Sequence, residues 1–357
     1  MARDAKPSVT LRDVARAAGV SKSTASNVFN RPEVVREDAR ERVRAAAARL
    51  GYAGPDLHAR LLVARRVNAI GVATTAPLSY FFDDPWARAL LSEITAACDA
   101  RSAGLALVSG RDEGRAAWNV QNALVDGFVL LCVEGAGEHL VRLTRRRGLP
   151  FVALSFDGDD EGIPAISVDN RGGARAAAGH LLALGHRRFG VLGLGTSGTP
   201  RGLGTLDQAL EELPGSTRDR LLGYRDALGA AGPEAGAMPF VHAADDEAAL
   251  AHGLSALFTA AVPPTALLAM SDKVAMAAMD WLARRGLRVP ADVSVVGFDG
   301  VPEGARATPA LTTAAQPLSR IAARAVEAII DGAMPEGRET LPVTLVERAS
   351  TGPAPRA

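Results

Sequence analysis

Small hydroxyl and amide side chains, led by one lysine, crowd a short segment near the amino end: Ser21-Lys22-Ser23-Thr24-Ala25-Ser26-Asn27. Such side chains bond phosphate oxygens and reach base edges, so the chemistry they offer is noncovalent recognition of a patterned polyanion. Elsewhere, residue types that make and break bonds do not gather. Gly193-Leu194-Gly195-Thr196-Ser197-Gly198 spells the glycine pattern of a dinucleotide cradle, but Thr199-Pro200-Arg201-Gly202 follows where a helix would have to open. Ser197 lacks the second glycine of a nucleophile elbow, and no histidine pair has zinc-enzyme spacing. His139, His180, His186, His242 and His252 therefore read as structural or exposed, and Cys98 and Cys132 as small buried hydrophobes. The expectation is no catalytic residue, no metal and no cofactor.

The polar cluster needs elements to hold it. Leu11, Val14, Ala15 and Ala18 recur on one face of a short helix, and Gly19 follows where a left-handed turn residue is wanted. Ser21 is a natural N-cap for a second helix, with Thr24, Ala25 and Val28 facing back and Lys22, Ser23, Ser26 and Asn27 free to face out. After Asn30-Arg31-Pro32 a third helix spans Glu37 to Leu50, closing the core with Val43, Ala46, Ala47 and Leu50 before Gly51. The reading is a helix-turn-helix. Residues 1–66 hold 14 Lys and Arg against 7 Asp and Glu, a net +7 in a chain of zero net charge. A structural helical cap with a solvated basic face is the competing reading.

The block from Val9 to Asn30 closely resembles the DNA-binding signature of the lactose-repressor (LacI/GalR) family. The resemblance implies that Lys22, Ser23 and Asn27 read bases, while Ser21, Thr24, Ser26 and Asn30 hold phosphates or cap the helix; Thr10 belongs to the same DNA-binding block. Two positions depart: the family usually has Val at Ala25 and Arg at Asn27, which leaves Asn27 either to read adenine or only to touch the backbone. The next segment, Pro55-Asp56-Leu57-His58-Ala59-Arg60-Leu61-Leu62, is too short for a domain and too apolar for a plain linker. It orders only against a partner surface, with Leu61 and Leu62 either under the next domain or against DNA. It resembles the family's hinge helix, which implies that Ala59 and Leu62 contact DNA, with Leu62 as the wedge that enters the minor groove and kinks the duplex. Asp56 stands where that hinge usually starts with Asn.

From Asn68 onward apolar strand-like runs alternate with amphipathic stretches, the sign of parallel sheets covered by helices. Strands are expected near 69–73, 105–108, 128–133, 151–154, 189–192, 266–270 and 293–298. Helices are expected near 85–103, 171–184, 216–231, 247–259, 272–285 and 317–331. A run this long suits two doubly wound subdomains binding a ligand between them, at the carboxyl ends of the strands. Residues 193–214 read as a long glycine-rich loop, either a lid or ordinary surface. Tyr80 and Phe82, in the loop after the first strand, either stack on an apolar ligand face or anchor the loop.

Val168-Asp169-Asn170, the run from His180 to Arg188, the run from Val289 to Asp299, and Leu311-Thr312-Thr313 resemble the regulatory domain of the same family. That implies a periplasmic-binding-protein-like fold crossing between subdomains near Asp169, Gly300 and Ile330. The domains are then 1–54 (helix-turn-helix), 55–67 (hinge) and 68–357, the last divided into 68–168 plus 301–330 and 169–300 plus 331–350. Arg220 and Asp299 match an arginine and aspartate that grip ligand in relatives; such a pair suits a polyol, binding two oxygens apiece. Ser155 and Ser271 stand where relatives often have Asp and Asn.

The resemblance implies a cytoplasmic, nucleoid-associated transcription repressor. Its partners are operator DNA, a second copy of itself as a homodimer, and a small-molecule effector, a sugar or alternatively a purine or nucleoside. No apolar run approaches the length of a bilayer span, so no membrane role is expected. The opening residues carry no apolar segment with a cleavage site. A solute-binding module and a small-substrate enzyme are the competing classes, and both leave the first 66 residues unexplained.

Overall fold

Contacts divide the chain into two units, Met1–Val67 and Asn68–Ala357. The computed structural model describes residues 9–30, 32–52, 66–131, 137–156, 162–194, 202–229, 238–243 and 247–356. The hinge residues Ala59 and Leu62, and Cys132, lie outside the described residues.

The first unit contains α1 (Leu11–Ala18), α2 (Lys22–Asn30) and α3 (Glu37–Leu50). Thr10 opens α1 through a capping box: its amide and hydroxyl donate to the Asp13 carboxylate at 3.0 and 2.6 Å, while its hydroxyl accepts from the Asp13 amide. Gly19 and Gly51 close α1 and α3 at φ 64° and 67°, and the following residues return amides to the carbonyls of Ala15 and Ala47. A side chain at either position would be strained. Val14, Ala25 and Val43 are fully buried with Ala46, Ala47 and Val28 around them. The Phe29 and Tyr52 rings meet edge-on at 5.7 Å, joining the end of α2 to the end of α3.

The second unit has two sheets. The first lobe contains β1 (Ala69–Thr74), β2 (Gly104–Ser109), β3 (Gly127–Leu131), β4 (Phe151–Leu154) and β5 (Ala165–Val168), all parallel. The second contains β6 (Phe189–Gly193), β7 (Gly202–Thr205), β8 (Pro239–His242), β9 (Ala266–Ala269), β10 (Ser294–Asp299) and β11 (Thr312–Ala315). Two late strands complete them: β12 (Arg338–Leu341) pairs with β5, and β13 (Thr344–Val346) runs antiparallel to β11. The strand orders are β12-β5-β4-β3-β1-β2 and β13-β11-β10-β9-β6-β8-β7. In each, successive connections leave the first strand in opposite directions, between β1 and β3 and between β6 and β9. Side chains at the strand ends therefore splay apart there and leave a crevice.

Helices cover both faces of the sheets. In chain order they are α4 (Tyr80–Asp83), α5 (Pro85–Asp99), α6 (Glu113–Asn122), α7 (Glu138–Arg147), α8 (Asn170–Ala183), α9 (Leu206–Glu212), α10 (Gly215–Gly229), α11 (Glu247–Phe258), α12 (Asp272–Arg284), α13 (Pro302–Arg306) and α14 (Leu318–Ile330). Among the described residues, no helix is long and apolar enough to cross a membrane.

Two crossings between lobes differ from the sequence expectation. β11 stays in the second sheet beside β10, so the chain returns to the first lobe near residue 316 rather than Gly300. β12 then joins the first sheet, so the last crossing falls near residue 342 rather than Ile330. The strands that set these crossings, Thr312-Thr313-Ala314-Ala315 and Arg338-Glu339-Thr340-Leu341, are four residues long and carry no apolar run that would mark them in the sequence. The stretch expected as one loop over 193–214 also contains β7 and α9, opened by a Thr205–Gln208 capping box. Gly193 ends β6 with the Phe240 ring pressed against it, a packing reason for that glycine independent of any phosphate; Gly195 and Gly198 lie outside the described residues.

The α8–α10 contact carries the side chains that matter below. Gly223 of α10 lies so close to α8 that a Cβ there would meet the Arg171 carbonyl oxygen at 2.2 Å and Ala174 Cβ at 2.8 Å. Gly223→Ala is expected to push the helices apart and cost about 1–3 kcal/mol of stability. Urea unfolding of purified chains checks this; an unchanged midpoint would show that the helices accommodate the methyl group freely.

Candidate functional site

On the first unit the site is the amino end of α2. The Ser21 hydroxyl accepts from the Thr24 amide at 3.0 Å and lies 2.8 Å from both the Ser23 and Thr24 hydroxyls. Ser21 thus caps the helix, and the Ser23 and Thr24 hydroxyls are tied into the same cluster. Lys22 and Ser23 are exposed, Ser26 and Asn27 are half-buried, and Ala25 and Val28 are buried. Asn30 is the last residue of α2. Thr10 and its Asp13 partner stand at the start of α1, and the two hydrogen bonds from Thr10 hold the Asp13 carboxyl below its ordinary range. The resulting edge is short, polar and supported by a closed apolar core. Side chains so held can enter a groove without reorganising the helix that carries them.

On the second unit the site is the crevice at the carboxyl ends of the strands. Its walls enclose roughly 250 Å³ and comprise Tyr80, Asp84, Pro85, Trp86, Ser155, Leu194, Ser216, Arg220, Ser271, Lys273, Asp299 and Val301. Five residues expected from the sequence meet here: Tyr80, Ser155, Arg220, Ser271 and Asp299. Phe82 does not. It is 60% exposed and absent from the walls, because the single turn of α4 turns Phe81 into the core and Phe82 outward.

Arg220 and Asp299 are 7% and 5% exposed, and Nη1 of one lies 3.6 Å from Oδ1 of the other. Each is anchored from behind. Arg220 Nε donates to Asn170 Oδ1 at 2.9 Å, Nη1 donates to the Met270 carbonyl, and the guanidinium lies 3.8 Å from the centre of the Phe298 ring. Asp299 Oδ1 accepts from Gln316 Nε2 at 2.8 Å. Burial pushes the Asp299 carboxyl well above its ordinary range, with the Arg220 charge pulling the other way and the neighbouring Asp272 adding to the rise.

Asp272 has a different task. It is fully buried and accepts from the amides of Gly300 and Val301, both at 2.8 Å, and from the Thr313 hydroxyl at 2.6 Å. It holds the turn after β10, and hence Asp299, in place. Asp299 at φ 121° and Ser155 at φ 55° both have backbones in the region L side chains rarely adopt, each at the end of a strand facing the crevice. Strain of this kind persists only where surrounding contacts enforce it.

The sequence reading missed Asp84, Trp86 and Lys273. Asp84 caps α5, accepting from the Trp86 and Ala87 amides at 3.1 Å, and Lys273 Nζ reaches Asp84 Oδ2 at 3.5 Å from the opposite lobe. The Asp84-Pro85 pair is a helix-start signal that would have aimed the next side chain at the strand ends. Ser271 caps α12 through the Val274 amide, which explains its small hydroxyl. Beside the crevice Arg88 bonds Glu303 at 2.6 Å, again from lobe to lobe. Among the described residues no cluster of His, Cys, Asp and Glu suits a metal ion.

Two family models match. The description "Bacterial regulatory proteins, lacI family" covers residues 10–54 and "Periplasmic binding protein-like domain" covers residues 178–351. The HTH-type transcriptional regulator Rv3575c of Mycobacterium tuberculosis is 37% identical over 332 residues, 90% of either chain. Among solved structures, the lac repressor dimer bound to operator and the anti-inducer ONPF is similar at a TM-score of 0.74 and 26% identity, covering 97% of this chain and 100% of that one. The transcriptional regulator CelR–cellobiose complex is similar at a TM-score of 0.66 and 26% identity, covering 96% and 100%.

The buried carboxyls give a pH signature. Burial pushes Asp272 up to about 6. The folded chain therefore holds a proton there that the unfolded chain has released, and stability falls as pH rises from about 4 through about 6. Thermal unfolding of the wild type against Asp272→Asn should show the wild type losing ground across that window and levelling off above it. A difference that is flat or grows in the wild type's favour would contradict the assignment.

Proposed function

We propose a ligand-responsive repressor, from the premise that this chain belongs to the lacI family of bacterial regulatory proteins and is a DNA-binding transcriptional regulator. In this reading two copies act as a homodimer on a two-fold operator. Lys22, Ser23 and Asn27 read bases, Ser21, Thr24, Ser26 and Asn30 hold phosphates or the helix start, and Leu62 wedges the minor groove beside Ala59. The solved lac repressor dimer on operator supports the assembly, and the exposed edge at Lys22 and Ser23 supports the groove contact.

The effector is a sugar held between the lobes of the second unit. One observation carries this: Arg220 and Asp299, buried 3.6 Å apart, face the same crevice, presenting a donor fork and an acceptor-only carboxylate to neighbouring hydroxyls. Tyr80 and Trp86 add aromatic surface for the apolar face of a sugar ring. The cellobiose complex of CelR is in keeping with a sugar at such a crevice. Occupancy favours one angle between the lobes, and operator affinity changes with it. Linkage makes the coupling reciprocal.

The DNA half is tested by fluorescence anisotropy on the duplex upstream of the chain's own gene. Sequence-selective binding is expected, weakening about a thousandfold or more between 50 and 200 mM salt if six or more phosphates are contacted. Lys22→Ala should reduce both affinity and the salt slope; no selective, salt-sensitive binding would sink the regulator reading. The effector half is tested by thermal-shift screening against neutral sugars, sugar phosphates, purines and nucleosides. A neutral sugar should raise the unfolding temperature, and Arg220→Ala should abolish the rise; selective stabilisation by a purine or nucleoside instead would overturn the sugar assignment.

A further inference from the structure

The chain passes between the two lobes of the second unit three times, and two of those passages carry a buried side-chain amide. Asn170 follows β5 at the first crossing and is 4% exposed; Gln316 follows β11 at the second and is 8% exposed. Neither lines the crevice. Each nevertheless bonds one member of the charged pair that does: Asn170 Oδ1 accepts from Arg220 Nε at 2.9 Å, and Gln316 Nε2 donates to Asp299 Oδ1 at 2.8 Å.

The chemistry matches in both cases. The Asn170 amide is oriented by its Nδ2, which donates to the Val168 carbonyl of β5 at 3.3 Å, so its oxygen must face Arg220. That one side chain links the last strand before the crossing to a guanidinium on α10. Gln316 is fixed through its backbone, its amide donating to the Asp299 carbonyl and its carbonyl accepting from the Leu318 amide at the start of α14, both at 2.9 Å. Its side chain then returns to the Asp299 carboxylate, so the segment leaving the second lobe grips the same aspartate twice.

We propose that Asn170 and Gln316 are positioning residues that tie the Arg220–Asp299 grip to the two crossing segments, so that ligand held by that grip is felt as a change in the angle between lobes. This rests on the reading of the crevice as an effector site. A buried amide at a crossing has no need to face a charged partner for packing alone; an apolar side chain of similar shape would fill the space. An arginine and an aspartate positioned only within the second lobe would also grip a ligand, but would pass nothing to the segments that bend when the lobes move.

The test has two arms on the full-length chain. Without ligand, nitrogen NMR of Arg220 should show an Nε–H protected from water exchange in the wild type, unprotected in Asn170→Ala and protected again in Asn170→Asp, which restores the acceptor. In Gln316→Ala the carboxyl carbon of Asp299 should titrate at higher pH than in the wild type, because the carboxylate has lost a donor. Signals that do not move in either variant would overturn the proposal. With ligand, cellobiose and D-ribose are titrated calorimetrically. For whichever binds the wild type, Asn170→Ala and Gln316→Ala should weaken binding at least tenfold, and Asn170→Asp should recover most of the loss. Binding within twofold of wild type in both alanine variants would overturn the proposal while leaving the effector reading intact. Should no ligand in the wider thermal-shift screen bind the wild type, the effector reading fails, and the NMR arm alone decides whether the two amides position the pair.

Discussion

Two opposite charges held under the surface, with room between the lobes in front of them, set the terms for the rest of the larger unit. Taking an arginine and an aspartate out of water costs several kcal/mol each unless their remaining donors and acceptors are matched. The fold supplies the matches from five directions: Asn170, the Met270 carbonyl and the Phe298 ring for Arg220, and Gln316 together with the Asp272-held turn for Asp299. They come from the ends of β9 and β10 and from the segments that follow β5 and β11, so the pair is held by the second sheet together with two of the connections between lobes. A ligand offering hydroxyls then meets groups that are already desolvated and aimed.

The smaller unit meets the opposite demand. Its working side chains must remain available to a partner, so its stability has to come from behind them. A core of valines and alanines, two glycine-closed helices and the Thr10–Asp13 box supply it. The Ser21–Ser23–Thr24 hydroxyl cluster shows the economy of this arrangement: the groups that start the helix are the ones presented at its tip. Lys22 stands beside them, exposed, adding charge without disturbing the cap.

Much of this was legible in residue order because local signals and tertiary outcome agree. The spacing of Leu11, Val14, Ala15 and Ala18 and the glycines at 19 and 51 specify the small bundle without help from distant residues. The long apolar strands that fill the centres of the sheets were equally plain, since residues buried on both faces leave unbroken hydrophobic runs. β5, β7, β8, β11, β12 and β13 escaped notice because strands of three or four residues carry almost no periodic signal. The same holds for the crevice. Arg220 and Asp299 were visible through resemblance, whereas Phe82 was misjudged because one turn of helix decides which of two adjacent aromatics turns inward. Asp84 and Lys273 meet across the crevice from 189 residues apart, and no local pattern records such a meeting.

The triple passage of the chain also bears on how the protein comes to exist. The core of the first lobe is completed by Ile321, Ala325 and Ile329 of α14 and by the pairing of β12 with β5, all supplied from beyond residue 317. During synthesis, the first-lobe strands made early must wait with an unpaired edge and an uncovered apolar face until the segment from residue 318 to residue 341 has emerged. The buried clusters of the second lobe, by contrast, are drawn entirely from residues 174–314. The segment after residue 317 therefore acts as the stitch that closes the first lobe, made only after the residues of the second lobe's core.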